Sequence, residues 1–395
     1  MIGGSTPEAE LSDLSRWPDP APAITRGERD TRLNQLRALA GEAGADAVLV
    51  NVGPNLRYFT GVPWQPSERL VAMLVPVTGT PTMICPAFEL GTLEADLAID
   101  VDMRLWEEDE DPIACIADAA GSGACQTLAV DPLFPFQWAE RLRAAVSCTL
   151  IDGGPPIDRC RMIKSPAELA LLTQAKAMTL EVHRRTARIL RPGIMASEVV
   201  RFIDAAHRAL GAVGSSFCIV QFGRATAYPH GLPGDRALED GQLVLVDTGC
   251  LVEGYHSDIT RTYAFGEVGE AEREIWTIEA AAQQAAFDAV LPGRICEDID
   301  AAARGVIEKA GLGPGYRLPG LPHRTGHGIG LSIHEPAYLV RGDKTVLTPG
   351  MCFSNEPMLV VPDRFGIRLE DHFHVTETGA AWFTRPQTSI DQPFA

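Results

Sequence analysis

The sequence predicts an α/β domain followed by an α+β domain made of two similar halves. Three observations carry this. Helix-patterned and strand-patterned segments alternate between residues 28 and 152, a helix-start signature stands at Ser165, and a pattern in the second part recurs 100 residues later.

Residues 1–27 are rich in proline and polar side chains and are expected as an extended arm, ahead of a domain over 28–160. In that domain "RDTRLNQLRALAGEAG" is amphipathic and ends in glycines, which predicts a helix. "ADAVLVNV", "RLVAMLVPV" and "CTLID" read as strands, with "FELGTLEADLA" and "FQWAERLRAAV" as helices between them. The join is "IDRCRMIKSPAELALL". Ser165 suits an N-cap, Pro166 the first turn and Glu168 the third position, a capping box opening a long helix toward Leu190. The second domain is assigned residues 161–395.

The second domain repeats. "RPGIMASEVVRFIDAAHRALGA" resembles "LPGRICEDIDAAARGVIEKAGLG", aligning Pro192 with Pro292, Gly193 with Gly293, Glu198 with Asp298 and Gly211 with Gly311. Further on, "EDGQLVLVDTG" resembles "LTPGMCFSNEP", with Gly241 on Gly350 and Asp247 on Glu356. Two such halves are expected to pack about a pseudo-twofold axis with a cleft between them.

The repeat gives the acidic residues a shared meaning. Asp247 and Asp258 fall in strand-like segments of the first half, Glu356 and Glu370 in those of the second. A carboxylate buried in apolar surroundings without a partner costs several kcal/mol. Either these acids face solvent or pair with Arg261 and Arg368, or the four converge on bound cations. Their matching places in two halves favour cations, since two divalent ions cancel four carboxylates.

"HRTGHGIGLSIHE" packs three of the nine histidines into one stretch. Its glycines disfavour a helical zinc motif, and no phosphate-loop pattern is present. They let the backbone approach a crowded centre, with His327 as the nitrogen ligand. Four carboxylates and one imidazole make a hard site that suits Mn2+ first, with Co2+, Fe2+ or Zn2+ also compatible. Arg368 stands two residues before Glu370 and shares its face on a strand, where it orients a carboxylate or anchors a substrate. His323, His334 and His230 read equally as structural or surface residues, and His256, His372 and His374 receive no role.

Composition excludes several function classes. The 395 residues are 46% hydrophobic and 22% charged, ordinary for a globular chain with no need of disulfides. A net charge of −18, from 34 basic and 52 acidic residues, argues against nucleic acid as a partner. No apolar run has membrane-spanning length, and "MIGGSTPEAELSDL" lacks the marks of a secretory leader. The nine scattered cysteines read as reduced thiols. A cytoplasmic location is expected.

Taken together, Asp247, Asp258, His327, Glu356 and Glu370, in that order and spacing, resemble the metal ligands of the pita-bread metallopeptidases: methionine aminopeptidase, aminopeptidase P, prolidase and creatinase. Residues 28–160, including "NLRYFTG" and the "RCRMIKSPAELALL" join, resemble the N-terminal domain of the prolidase, aminopeptidase P and creatinase branches. The resemblance implies a pita-bread catalytic domain, a homodimer and two divalent ions. It implies that Asp247 holds one ion, Asp258 and Glu370 bridge both, and His327 and Glu356 complete the other. It places His230, His323, His334 and Arg368 at substrate-handling positions, with His230, His334 and Glu356 in the catalytic step. The implied activity is hydrolysis of the bond between an N-terminal residue and a following proline, in dipeptides or short peptides. The alternative is a metal-dependent hydrolase of a small non-peptide compound, as in ectoine-hydrolase-like or creatinase-like relatives. Asn55, Tyr58 and Trp64 are candidates for the mouth of the site, or core and turn residues.

Overall fold

The computed structural model describes residues 2–121 and 125–394, which form two compact units, 24–161 and 1–23 with 162–395. The expected extended arm contains a short helix, α1 (Pro7–Ser12), because Thr6 accepts the Ala9 N–H as N-cap and Pro7 suits the first turn.

The unit of residues 24–161 is an α/β domain. Its helices are α2 (Arg26–Glu42), α3 (Pro54–Thr60), α4 (Leu90–Asp96), α5 (Pro112–Ala120), α6 (Phe136–Ala145) and α7 (Gly154–Met162), the last ending at the boundary. Its strands are β1 (Ala47–Asn51), β2 (Ala72–Pro76), β3 (Thr82–Pro86), β4 (Asp102–Trp106), β5 (Thr127–Val130) and β6 (Thr149–Asp152), in the order β4-β3-β2-β1-β5-β6. The sheet is mixed: β1 runs parallel to β5 and antiparallel to β2. All five β1 residues are buried, as expected for a central strand flanked on both sides. Asn55 and Tyr58 belong to this interior: Asn55 Nδ2 donates to Asp131 at 2.8 Å, and the Tyr58 hydroxyl donates to the Cys160 carbonyl at 2.7 Å.

The other unit opens with α8 (Pro166–Ile189), started by the expected capping box between Ser165 and Glu168. Next come α9 (Ala196–Ala209), β7 (Ser215–Phe222), β8 (Gln242–Val252), β9 (Tyr255–His256) and β10 (Ile259–Phe265). The second half has α10 (Glu270–Asp288), α11 (Cys296–Lys309), β11 (Gly326–Gly328), β12 (Glu335–Leu339), β13 (Cys352–Asn355), β14 (Met358–Val361), β15 (Phe365–Arg368), β16 (Asp371–Val375) and β17 (Ala380–Trp382). The first half pairs β10-β8-β7; the second forms a five-stranded sheet, β12-β11-β13-β16-β17, and a β14-β15 ribbon.

The repeat read from the sequence is present in the backbone. Gly193 and Gly293 take φ of +80° and +88° before α9 and α11, and Gly211 and Gly311 take +102° and +83° after them. These left-handed conformations strain any other residue, which is why glycine recurs at equivalent places. Each half has its own apolar core, one around Val199, Ile203, Val244 and Val246, the other around Ile299, Ala303, Phe353 and Phe373. The halves join where the Glu370 N–H donates to the Thr260 carbonyl at 3.0 Å and the Thr262 hydroxyl to the Arg368 carbonyl at 2.7 Å. Among the described residues no helix is long and apolar enough to cross a membrane, and the nine cysteines are free thiols.

Candidate metal centre

The four acids arrive on two pairs of strands. Asp247 lies inside β8, opposite Thr260 of β10, and Asp258 immediately precedes β10. Glu356 follows the last residue of β13, whose Asn355 pairs with Asp371 of β16, and Glu370 immediately precedes that strand. Each half therefore delivers two carboxylates from neighbouring antiparallel strands, as the sequence pattern predicts.

His327 comes from β11, squeezed between β12 and β13. Its stretch is pinned at both ends. Arg304 of α11 donates to the His323 carbonyl at 2.6 Å, Thr325 donates to Asp300 at 2.7 Å, and Lys164 pairs with Glu335 in the interior. In the middle, the His327 N–H donates to the Ser354 hydroxyl at 2.9 Å. The flanking glycines are needed for close approach: a Cβ on Gly326 would overlap the Ser354 carbonyl oxygen, and one on Gly328 the Glu335 carbonyl oxygen. Gly326→Ala is accordingly expected to destabilise the chain by about 2–3 kcal/mol or more through overpacking. Thermal or denaturant unfolding checks this.

The imidazole is oriented for coordination. His327 Nδ1 lies 3.0 Å from the Gly328 carbonyl, which can only accept, so Nδ1 carries the proton. Nε2 then faces Glu356 at 3.1 Å and Asp258 at 3.8 Å. A metal cation would reconcile that nitrogen with two carboxylates. Ligand atoms of Asp258, His327 and His334 gather within 4.8 Å of one another, as do those of Asp258, Glu370 and His372, and those of His327, Glu356 and Glu370.

The charges do not balance within the protein. Arg368 donates to Asp247 at 2.5 Å and to the Thr260 hydroxyl at 3.0 Å. Arg261 is instead committed to Asp371, at 2.6 Å, and both are fully buried. One guanidinium thus faces four carboxylates. Burial, then repulsion from the neighbouring acids, holds Asp258 and Glu370 well above the ordinary carboxylate range. Burial also raises Asp247, with Arg368 offsetting part of it. For Glu356 burial is outweighed by the His327 hydrogen bond and charge, which hold it down to about 2. Asp247 Oδ1 and Glu370 Oε1 are buried with no hydrogen-bond partner. Buried acceptors without donors, in an oxygen-rich set with one imidazole nitrogen, fit a divalent cation.

The remaining histidines separate. The His334 ring lies edge-on to His327, with centroids 4.2 Å apart, and partial desolvation followed by the His327 charge lowers it to about 4. His323 donates through Nδ1 to the Arg324 carbonyl at 2.7 Å and lies close enough to Glu356 to feel its charge. His230 is exposed on the loop that follows the short helical turn at 223–227 and acts electrostatically on His334. His372, without a role in the sequence reading, is fully buried, and its Nε2 is 3.9 Å from Glu370 Oε1. Burial, then Lys176, pushes it well below the usual histidine range, so it offers a neutral donor atom. Its place two residues after Glu370 was the available signal. His374, two further on, points toward Phe383 instead, at 5.1 Å between centroids.

Comparison with known proteins agrees with this arrangement. Residues 170–377 match the model of "Metallopeptidase family M24", and residues 32–163 that of the "Creatinase/Prolidase N-terminal domain". The chain is 36% identical over 352 residues to a probable dipeptidase PepE of Mycobacterium tuberculosis, covering 88% of this chain and 92% of the relative. It is 33% identical over 366 residues to an Xaa-Pro dipeptidase of Lactobacillus helveticus, covering 91% and 98%. The crystal structure of dipeptidase PepE from Mycobacterium ulcerans superposes with a TM-score of 0.87 at 35% identity, covering 94% of this chain and 99% of that one. A creatinase-type N-terminal domain thus precedes a pita-bread domain that gathers carboxylate and histidine side chains able to hold a divalent metal, and the chain belongs to metallopeptidase family M24.

Proposed function

We propose that the chain is an Xaa-Pro exopeptidase that uses two divalent ions, Mn2+ first and Co2+, Zn2+ or Fe2+ as alternatives, to cleave dipeptides or short peptides before proline. The observation that carries this reading is the gathering of Asp258, Glu356, Glu370 and His327 ligand atoms, with Asp247 beside them on the arginine, Arg368, that faces all four acids. The Xaa-Pro dipeptidase relative supports the substrate class. The family resemblance supports a homodimer, and the scattered cysteines support a reducing, cytoplasmic location.

In this reading Asp247 would serve one ion, His327 and Glu356 the other, and Asp258 and Glu370 both. Such ions would supply an acidified water as the nucleophile and a polarised scissile carbonyl. Glu356 takes up the nucleophile's proton and passes it to the leaving proline nitrogen. His334, beside His327, and His230, beyond it, hydrogen-bond the carbonyl oxygen as negative charge develops. His323 stands beside Glu356. Arg368 fixes the Asp247 carboxylate. An Xaa-Pro bond has no amide N–H, so recognition rests on the ring, the free amine and the carbonyls, and the acidic centre attracts the ammonium.

The test is hydrolysis by purified protein with Mn2+ of Xaa-Pro dipeptides, Xaa-Pro-Yaa tripeptides and ectoine. Proline or Xaa release from the peptides is expected. Turnover of ectoine alone contradicts the peptidase reading.

A further inference from the structure

The repeat extends into side chains that the sequence comparison passes over. Helices α8 and α10, which open the two halves, each carry a buried polar pair one turn apart: Thr179 with His183, and Glu279 with Gln283. The pairs are 100 residues apart, the same offset as the glycine turns. All four side chains are at most 3% exposed.

Each pair bonds to the residues on either side of one site carboxylate, through backbone on one side and a side chain on the other. In the first half the Thr179 hydroxyl lies 2.7 Å from the Ser257 hydroxyl, and His183 Nε2 donates to the Ile259 carbonyl at 2.9 Å. Ser257 and Ile259 flank Asp258. In the second half the Leu369 N–H donates to Glu279 at 3.2 Å, and Gln283 Nε2 donates to the Leu369 carbonyl at 3.1 Å and lies 3.4 Å from the Asp371 carboxylate. Leu369 and Asp371 flank Glu370. The same amide donates to the Asn355 carbonyl at 3.1 Å, one residue before Glu356, and Asn355 Nδ2 donates back to the Gln283 carbonyl at 2.8 Å.

We propose that these helix-borne pairs are positioning residues for the two carboxylates shared between the ions, with His183 and Gln283 the principal members; the proposal rests on the dinuclear reading above. Asp258 and Glu370 both stand just outside a strand, beyond its last ladder pair. A bridging carboxylate tolerates little misplacement, because a shift that shortens one metal–oxygen bond lengthens the other. A rigid helix adds a constraint through bonds to the residues beside the acid. Packing alone does not call for this. An apolar pair would fill the same volume without buried groups that need partners, yet polar pairs stand at the equivalent turn of both helices and bracket equivalent acids.

Mn2+ titration calorimetry and the exchange-coupled EPR spectrum of the Mn2+-loaded full chain test the proposal. His183→Leu and Gln283→Leu are expected to weaken Mn2+ binding by roughly 10- to 100-fold, the usual cost of losing a group that orients a ligand, and to alter the coupled spectrum. Thr186→Val, buried on α8 but bonded only to its own helix, leaves both unchanged. Exchanging the residues between repeats, His183→Gln or Gln283→His, restores a donor to the same carbonyls and keeps affinity within about threefold of the parent. Parental affinity and spectrum in folded leucine variants overturn the proposal, as does an equal loss in Thr186→Val. Where a leucine variant does not fold, the exchange variant decides: retained binding supports the clamp, and a loss of about tenfold or more overturns it. The parent titration separates the two levels, because a parent that takes up fewer than two ions overturns the dinuclear reading itself.

Discussion

Glu370→Gln is expected to lower kcat/KM for an Xaa-Pro dipeptide by at least about a thousandfold, or ~4 kcal/mol of transition-state stabilisation, while raising the melting temperature of the metal-free protein. The two effects have one cause. Glu370 is fully enclosed, beside Asp258 and Glu356, and its Oε1 has no donor while Oε2 accepts from the Thr260 hydroxyl at 2.8 Å. An amide keeps the volume but removes the charge that repels its neighbours and the oxygen pair that two ions would share. Metal content after dialysis, melts in chelator and steady-state kinetics check both arms. A variant within tenfold of the parent at full metal occupancy contradicts the role given to Glu370.

Metal-free protein is expected to lose stability as pH rises from about 5 to 8, and to lose more of it than the loaded protein does. Burial raises the proton affinity of Asp247, Asp258 and Glu370 above that of the unfolded chain. The folded state therefore binds more protons, and by linkage its stability falls as pH climbs from the unfolded carboxylate range through the raised folded values. Glu356 has the opposite sign, since its value is depressed to about 2; its contribution is present above the unfolded value and is lost only in acid below this window. Burial likewise raises Glu279 and Asp371. Neither is in the proposed donor set, so the difference between loaded and free protein isolates the cluster. Every tenfold gain in a carboxylate's proton affinity on folding is worth about 1.4 kcal/mol, so the stabilisation by metal is expected to widen by several degrees in Tm across the window. A constant difference at all pH values contradicts the charge argument.

The features legible in the sequence are those with short-range causes. The capping box at Ser165, the glycines at 193, 211, 293 and 311, and the apolar runs of β1 and β8 each follow from local backbone or burial requirements. The four acids and His327 were legible because two halves place them in matching contexts and because the family pattern names them. Long-range consequences were not. Thr6 and Pro7 start a helix in the segment expected to be extended, since proline-rich composition does not register a cap. Strand alternation puts His372 and His374 on the face of Glu370, but only the fold shows one ring against Glu370 and the other against Phe383. Glu279 and Gln283 read as polar residues of an amphipathic helix; their burial under Leu369 and Asn355 depends on contacts across about 70 to 90 residues of chain. Asn55 and Tyr58 lie inside their own α/β unit, so the residues lining the mouth were not legible from motif proximity.

The most direct test of the central claim is anomalous diffraction from crystals of the full chain grown with Mn2+. Two peaks roughly 3.5–4 Å apart are expected, enclosed by Asp247, Asp258, His327, Glu356 and Glu370. Crystals of protein that hydrolyses Xaa-Pro dipeptides, yet with no manganese among these five side chains, contradict it.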